Sequence, residues 1–310
     1  MADFFQLAVA WDWEYDGDFI QILEREIHAH GFRFYSISHH NTQETARRIH
    51  RGDLRFGAFL DRAAGSGNHF AAVSRVVQKS SAYFINTPEA LFHATDKATM
   101  HLEFLTEGLN VPFSIIISPY HKRREIELTL SDLARLGRPF IIKPANTTGG
   151  GIGVITGAES LKDVIESRQH HKNDKYLLQE KILPIPMNSH KAWFRVFFVF
   201  GLVIPCWWDD DTHRYEVIAP EERERFGLQS LATLARKIQK ICKLDFFSSE
   251  IAITKEKKLV VVDYVNDVCD MRLQSKCYDG VPDSVVLQIC RRVARSLGSM
   301  QRRGIIAVEP

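Results

Sequence analysis

Apolar runs and amphipathic stretches alternate through the first third of the chain. Residues 6–10 are apolar and strand-like. Across residues 18–29, Phe19, Ile22, Leu23 and Ile27 recur at helical spacing, and Gly31 closes the stretch. The pattern repeats: strand at 32–37, helix at 42–50, strand at 56–60, helix at 69–79 and strand at 83–85. Strands that alternate with helices in this way predict a small parallel sheet with helices packed on it.

Further on the pattern changes. A strand at 113–117 and a helix at 126–136 precede an apolar run, Phe140 to Ile142, that ends in Lys143-Pro144. Three consecutive glycines, Gly149, Gly150 and Gly151, lead into a second apolar run at 152–155, and a helix is expected at 160–168. Residues 176–182 read as a strand, and 192–208 as two strands meeting at Phe200-Gly201. One long helix is expected over 221–243, from Phe226, Leu231, Leu234, Ala235, Ile238 and Ile241. Strands at 246–254 and 258–265 share a charged turn, and a closing helix spans 283–298.

Composition changes this picture little. The chain has 310 residues, 45% hydrophobic and 25% charged, which suits a soluble globular protein of two or three units. A net charge of +2 demands neither nucleic acid nor a membrane as partner. The five cysteines are odd in number and lack C-x-x-C spacing, so reduced thiols and a cytoplasmic setting are expected. The N-terminus shows no basic stretch followed by a cleavage pattern, so no signal peptide is expected. The apolar run 192–208 contains Arg195, Gly201 and Pro205, which favours strands over a membrane span.

Candidate chemistry collects at three places. The glycines after Lys143 can bring bare N–H groups close to an anion, with the lysine as a fixed charge, or they can form the flexible tip of a hairpin. A Walker A loop is excluded because the chain has no Gly-Lys pair, and a dinucleotide fingerprint because Gly151-Ile152-Gly153 lacks its third glycine. Arg195 shares a strand face with Trp193, Phe197 and Val199, where an unpaired cation is costly, so it is either salt-bridged or facing an anion. Pairing across a turn centred on Glu256-Lys257 sets Glu250 opposite Asp263. Facing carboxylates repel, and a divalent cation with oxygen ligands relieves them. On this reading Glu250→Ala relieves the repulsion and abolishes metal-dependent activity. Trp11 to Glu14, and Asp61-Arg62, follow strands at the sheet end where open parallel sheets bind ligands.

Taken in order, these motifs resemble the ATP-grasp superfamily, in layout its RimK-like branch, over residues 80–270. The segment Ala94-Thr95-Asp96-Lys97 is similar to the helix whose lysine reaches the nucleotide phosphates. The stretch Gln179-Glu180-Lys181-Ile182 resembles the strand that reads adenine and ribose. The resemblance implies an N-terminal α/β (pre-ATP-grasp) domain at 1–95, then an α+β ATP-grasp fold of two lobes. These are lobe 1 with the glycine flap at 96–178 and lobe 2 with the metal hairpin at 179–310. It implies catalytic roles for Arg195 and Lys143. ATP would be held by Lys97, Lys143, Gly149–Gly151 and residues 179–182, and Mg²⁺ or Mn²⁺ by Glu250, Asp263 and Asn266. Arg272 and Lys276 stand where such proteins hold the acceptor. The family's usual acidic residue, single spacer and asparagine is here Asp263-Tyr264-Val265-Asn266-Asp267, with two spacers. Either a bulge realigns Asn266, or Asp267 replaces it, or one ligand is missing. The implied activity is ATP-dependent ligation of a small-molecule or peptide carboxylate to an amine (or thiol) through an acyl phosphate. A small-molecule kinase and a non-catalytic ATP-binding module are the alternatives, and a homodimer is compatible with any of the three.

Overall fold

The computed structural model describes residues 2–63, 65–146 and 152–307. The N-terminal strands β1 (Asp3–Ala10), β2 (Phe34–Ile37), β3 (Leu54–Asp61) and β4 (Tyr83–Ile85) form one parallel sheet in the order β2-β1-β3-β4. Helices α1 (Gly17–Ala29), α2 (Thr42–Arg51) and α3 (Asn68–Gln78) connect them, as the alternating pattern predicts. Leu7, Val9, Leu23 and Ile27 are completely buried between this sheet and α1.

Residues 88–106 fold as two helices, α4 (Pro88–Thr95) and α5 (Lys97–Thr106). The chain breaks at Asp96, whose extended backbone lets its carboxylate accept from the Thr99 N–H at 2.9 Å as an N-cap. Lys97 is therefore the first residue of α5.

A four-stranded antiparallel sheet follows. It contains β5 (Ser114–Ile117), β6 (Phe140–Pro144), β7 (Ile155–Ala158) and β8 (Tyr176–Glu180), in the order β5-β8-β6-β7. Two short helices accompany it. The expected helix at 126–136 shrinks to α6 (Leu130–Leu136) because Thr129 and Asp132 form a reciprocal cap that starts it there. The other is α7 (Leu161–Ser167), opened in the same way by Ser160 and Asp163.

The third sheet carries most of the chemistry. After the short pair β9 (Pro186–Met187) and β10 (His190–Lys191) come β11 (Trp193–Val199), β12 (Leu202–Trp208) and β13 (Tyr215–Val217). The expected helix over 221–243 is two helices, α8 (Pro220–Arg225) and α9 (Gln229–Cys242). Gly227 separates them in the left-handed region at φ 63°. Strands β14 (Phe246–Ile253) and β15 (Leu259–Asn266) complete a sheet ordered β13-β12-β11-β14-β15, and α10 (Asp283–Arg302) closes the chain.

The two faces of this sheet follow the period of two. Phe194, Val196 and Phe198 face α9 together with α4 and α5, beside Leu231, Ala235 and Ile238. Trp193, Phe197 and Val199 join Val286, Ile289 and Val293 of α10, in a core continuous with that of the N-terminal sheet. No helix among the described residues is long and apolar enough to cross a membrane.

Candidate active site

Arg195 lies on the α10-side face of β11, directly across from Glu250 on β14. Its Nη2 stands 2.8 Å from Glu250 Oε1, and its guanidinium lies 4.8 Å from the centre of the Trp208 ring. Trp193 Nε1 donates to the other Glu250 oxygen at 3.1 Å. Burial, the largest single influence, opposes the charge on Arg195, but Glu250 together with Tyr215, Asp263 and Cys269 outweighs it and the guanidinium is held more firmly protonated than usual.

Glu250 also faces Asp263, the expected pair, but not by simple counting from the turn: Ile251, Ala252 and Ile253 pair with Val261, Val260 and Leu259, a register that would set Glu250 against Val262, and one extra residue in β15 shifts the partner to Asp263. Beyond Glu250, two residues of β14 match three of β15, so that Ser248 stands opposite Asn266. The extra residue is a bulge in β15. It brings Asp263 and Asn266, separated by two residues, to partners that share one face of β14. Asp267, the other expected candidate, is engaged elsewhere. Its carboxylate accepts from Asn86 Nδ2 at 3.0 Å, toward the N-terminal sheet.

Lysines complete the cluster from two other elements. Lys97, the first residue of α5, places Nζ 3.4 Å from Asp263 Oδ1. Lys143, on β6 of the four-stranded sheet, donates to the Val262 carbonyl at 3.2 Å. Burial opposes ionisation of Asp263, yet Lys97, Lys143 and Arg195 together hold its carboxyl far below the usual range. Burial also lowers Lys143, and neighbouring Lys97 adds to this against Asp263 and Glu250. Three cations thus surround two carboxylates, and the expected repulsion of Glu250 and Asp263 is cancelled by protein counter-ions. The surplus positive charge suits an anionic ligand.

The residues fit a hard divalent cation. Among the described residues no three His, Cys, Asp or Glu side chains converge as a metal set, so two carboxylates need other oxygen donors. Asn266 is one candidate. Its Nδ2 is buried beside the Asp263 carboxylate without a hydrogen bond of good geometry, and rotating the amide exchanges that nitrogen for an oxygen. Phosphate oxygens held by the lysines are another.

A second buried network was not anticipated from sequence. Gln179 Nε2 donates to Ser114 Oγ and to the Tyr264 hydroxyl, both at 3.1 Å. That hydroxyl lies 2.6 Å from His101 Nδ1. Burial lowers the His101 pKa and favours the neutral ring, whose tautomer sets which of the two groups donates. The network joins α5, β8 and β15, the elements that carry Lys97, the expected adenine strand and Asp263. The available signal was that His101 follows Lys97 by four residues, on the same helix face.

Gly149, Gly150 and Gly151 lie outside the described residues. The stem before them is anchored where Asn146 donates from its backbone and side chain to Asp174, at 2.9 and 3.0 Å. Glu180 is engaged with Phe113, accepting from its N–H at 2.7 Å and donating its own N–H at 2.9 Å. Lys181 is exposed, and Ile182 packs on the larger core. Arg272 is not a free anchor, because all its donor nitrogens bond Asp270 and Asp279 at 2.7–3.1 Å. Lys276 lines a cavity of about 230 Å³ with Glu14, Tyr15, Asp18 and Cys277. Arg62 is structural: it forms a buried pair with Asp16, at 2.9 and 2.6 Å, and donates to the Cys269 carbonyl at 3.0 Å.

No family model and no curated protein matches this sequence. Solved structures match throughout its length. The ATP-grasp ligase PsnB, complexed with minimal precursor, Mg and ADP, is 16% identical, covers 96% of this chain and 98% of its own, and superposes with a TM-score of 0.62. D-alanine–D-alanine ligase from Bacillus anthracis, complexed with ATP, is 16% identical over 95% of this chain and 99% of its own, with a TM-score of 0.60. The chain has the ATP-grasp fold. A RimK-domain ATP-grasp protein from Sphaerobacter thermophilus is similar too, at 15% identity, 93% and 98% coverage and a TM-score of 0.61. The sheet of β5, β6, β7 and β8 and the five-stranded sheet lie side by side in this fold. The charged cluster sits where they meet, since Lys143 of one reaches Val262 of the other.

Proposed function

We propose that this chain is an ATP-dependent carboxylate–amine ligase that binds ATP and Mg²⁺ between the two lobes. The observation that carries the reading is the buried cluster itself. Lys97, Lys143 and Arg195 converge on Glu250 and Asp263 from separate elements, in a fold whose solved examples include ligases holding ATP, ADP and Mg. A core gains nothing in stability from so many buried charges, so their concentration points to a ligand.

On this reading residues 1–95 help to line the acceptor site, and the segment after β8, Lys181-Ile182, faces the adenine. Lys97 and Lys143 hold the phosphates as point charges, joined by the glycine flap. Glu250, Asp263 and Asn266 would hold Mg²⁺, which neutralises phosphate charge when bound. Arg195 stabilises charge on the phosphoryl group as it passes to the acceptor carboxylate. Attack by an amine on the resulting acyl phosphate forms the amide and releases phosphate. Lys276 is the better placed anchor for an acceptor anion, because every donor nitrogen of Arg272 already bonds Asp270 or Asp279.

The test begins with a nonhydrolysable ATP analogue and Mg²⁺ in calorimetry, then follows phosphate release against pools of carboxylates and amines. Phosphate release that needs both substrates supports the ligase. A stable phosphorylated product with no amine requirement would make the chain a kinase. Absence of nucleotide binding would reduce the reading to fold alone.

A further inference from the structure

The charges of this site are paired with one another. Lys97 Nζ stands 3.4 Å from Asp263 Oδ1, and Arg195 Nη2 stands 2.8 Å from Glu250 Oε1. Both pairs are largely buried, with side-chain exposures of 11% and 19% in the first and 14% and 16% in the second. The groups assigned above to the triphosphate are therefore the counter-ions of the groups assigned to the metal. We propose that Lys97 and Arg195 guard the metal ligands, so that the site rejects a divalent cation alone and accepts it together with a nucleotide. This rests on the ATP-grasp reading and adds to it a rule for loading.

A divalent cation that approaches Asp263 and Glu250 meets three protein cations, Lys97, Lys143 and Arg195, and must displace two of them. Displaced with nowhere to go, each becomes a buried charge without a counter-ion, which is the expensive outcome for such pairs. A triphosphate supplies new anions to Lys97 and Arg195 at the moment the metal takes their carboxylates. Each exchange removes the cost of the other, so the two bindings are coupled and each raises the affinity of the other. Lys143 differs from Lys97 in one decisive respect. Its Nζ bonds a neutral carbonyl, that of Val262, and not a carboxylate oxygen. It contributes charge to the site without guarding a ligand.

That difference supplies the experiment. Mn²⁺ is titrated into the full chain without nucleotide, and free aquo-Mn²⁺ is read by electron paramagnetic resonance. Wild type should bind weakly. Lys97→Met should tighten Mn²⁺ binding about tenfold, ~1.4 kcal/mol, and Lys143→Met should tighten it clearly less. Equal gains in the two variants would show a general charge effect and overturn the proposal. Wild-type binding as tight as that of Lys97→Met would do the same. If Lys97→Met does not fold, wild-type crystals soaked with Mn²⁺ decide the matter by anomalous scattering. A peak between Glu250 and Asp263 only in crystals that also hold the ATP analogue is the expected result. A peak there without the analogue overturns guarding but leaves the ligase reading intact. No peak with the analogue bound overturns guarding and also removes the metal site from the ligase reading.

Discussion

Replacing Glu250 by glutamine tests how the site is balanced. Considered as two facing carboxylates, Glu250 and Asp263 repel, and neutralising one should stabilise the fold. The structure reverses the sign. Glu250 is the nearest counter-ion of Arg195, at 2.8 Å, in a pair whose side chains are 14% and 16% exposed. Removing one partner of a buried pair costs about 3–5 kcal/mol, chiefly as the penalty of the charge left behind. Three features reduce that here: residual exposure, the remaining field of Asp263 on Arg195, and a glutamine oxygen that can keep the Trp193 bond. A loss of about 2–3 kcal/mol is expected. Urea denaturation of the nucleotide-free protein measures it. The double variant Glu250→Gln/Arg195→Met should recover most of the loss, because no unpaired charge remains. Glu250→Gln at or above wild-type stability would refute the counter-ion argument and restore repulsion as the dominant force. Metal-dependent activity should be lost in either case.

Three further outcomes are expected. Lys143→Ala should weaken binding of the ATP analogue at least about tenfold, ~1.4 kcal/mol, with little loss of stability, since burial already disfavours its charge; unchanged affinity in calorimetry would remove Lys143 from the site. Burial pushes Asp267 up to about 7 from its ordinary 3.8, against the opposing effects of Arg62 and Asn86. The folded state therefore holds this proton more tightly, and wild-type stability should fall as pH rises from about 4 to about 7, by up to ~4 kcal/mol and by less with partial solvent screening. Asp267→Asn should lack that slope and gain on wild type at high pH only, and parallel urea profiles for the two proteins would disprove the assignment. Arg62→Met should cost about 3–5 kcal/mol, because Asp16 is left as a buried anion and the Cys269 carbonyl loses a donor; a shift in the urea midpoint worth under about 1 kcal/mol would show that the pair is not the tie between the N-terminal sheet and the segment after β15.

Much of this protein was legible along the chain because its information is local. Alternating strands and helices to Ile85 determined a parallel sheet, and the period of two placed Arg195 on the face of Trp193 and Phe197. Counting outward from Glu256-Lys257 set Glu250 against Asp263, yet the residues nearest the turn pair one position earlier, and only an extra residue in β15 restores the pair. The bulge that realigns Asn266 was one of three open alternatives, because strand spacing alone cannot choose among them. The helix break at Gly227 was local as well, but the apolar periodicity running from Phe226 to Ile241 concealed it. What no spacing could decide was which charges meet. Lys97, Lys143, Arg195, Glu250 and Asp263 come from α5, β6, β11, β14 and β15, and only the packing of those elements sets the distances that turn repulsion into pairing. Arg272 shows the same limit in reverse, since its chain position suggests a free anchor and the loop that brings Asp279 back to it takes that freedom away. Charge energies depend on separation and burial, and both are properties of the folded chain.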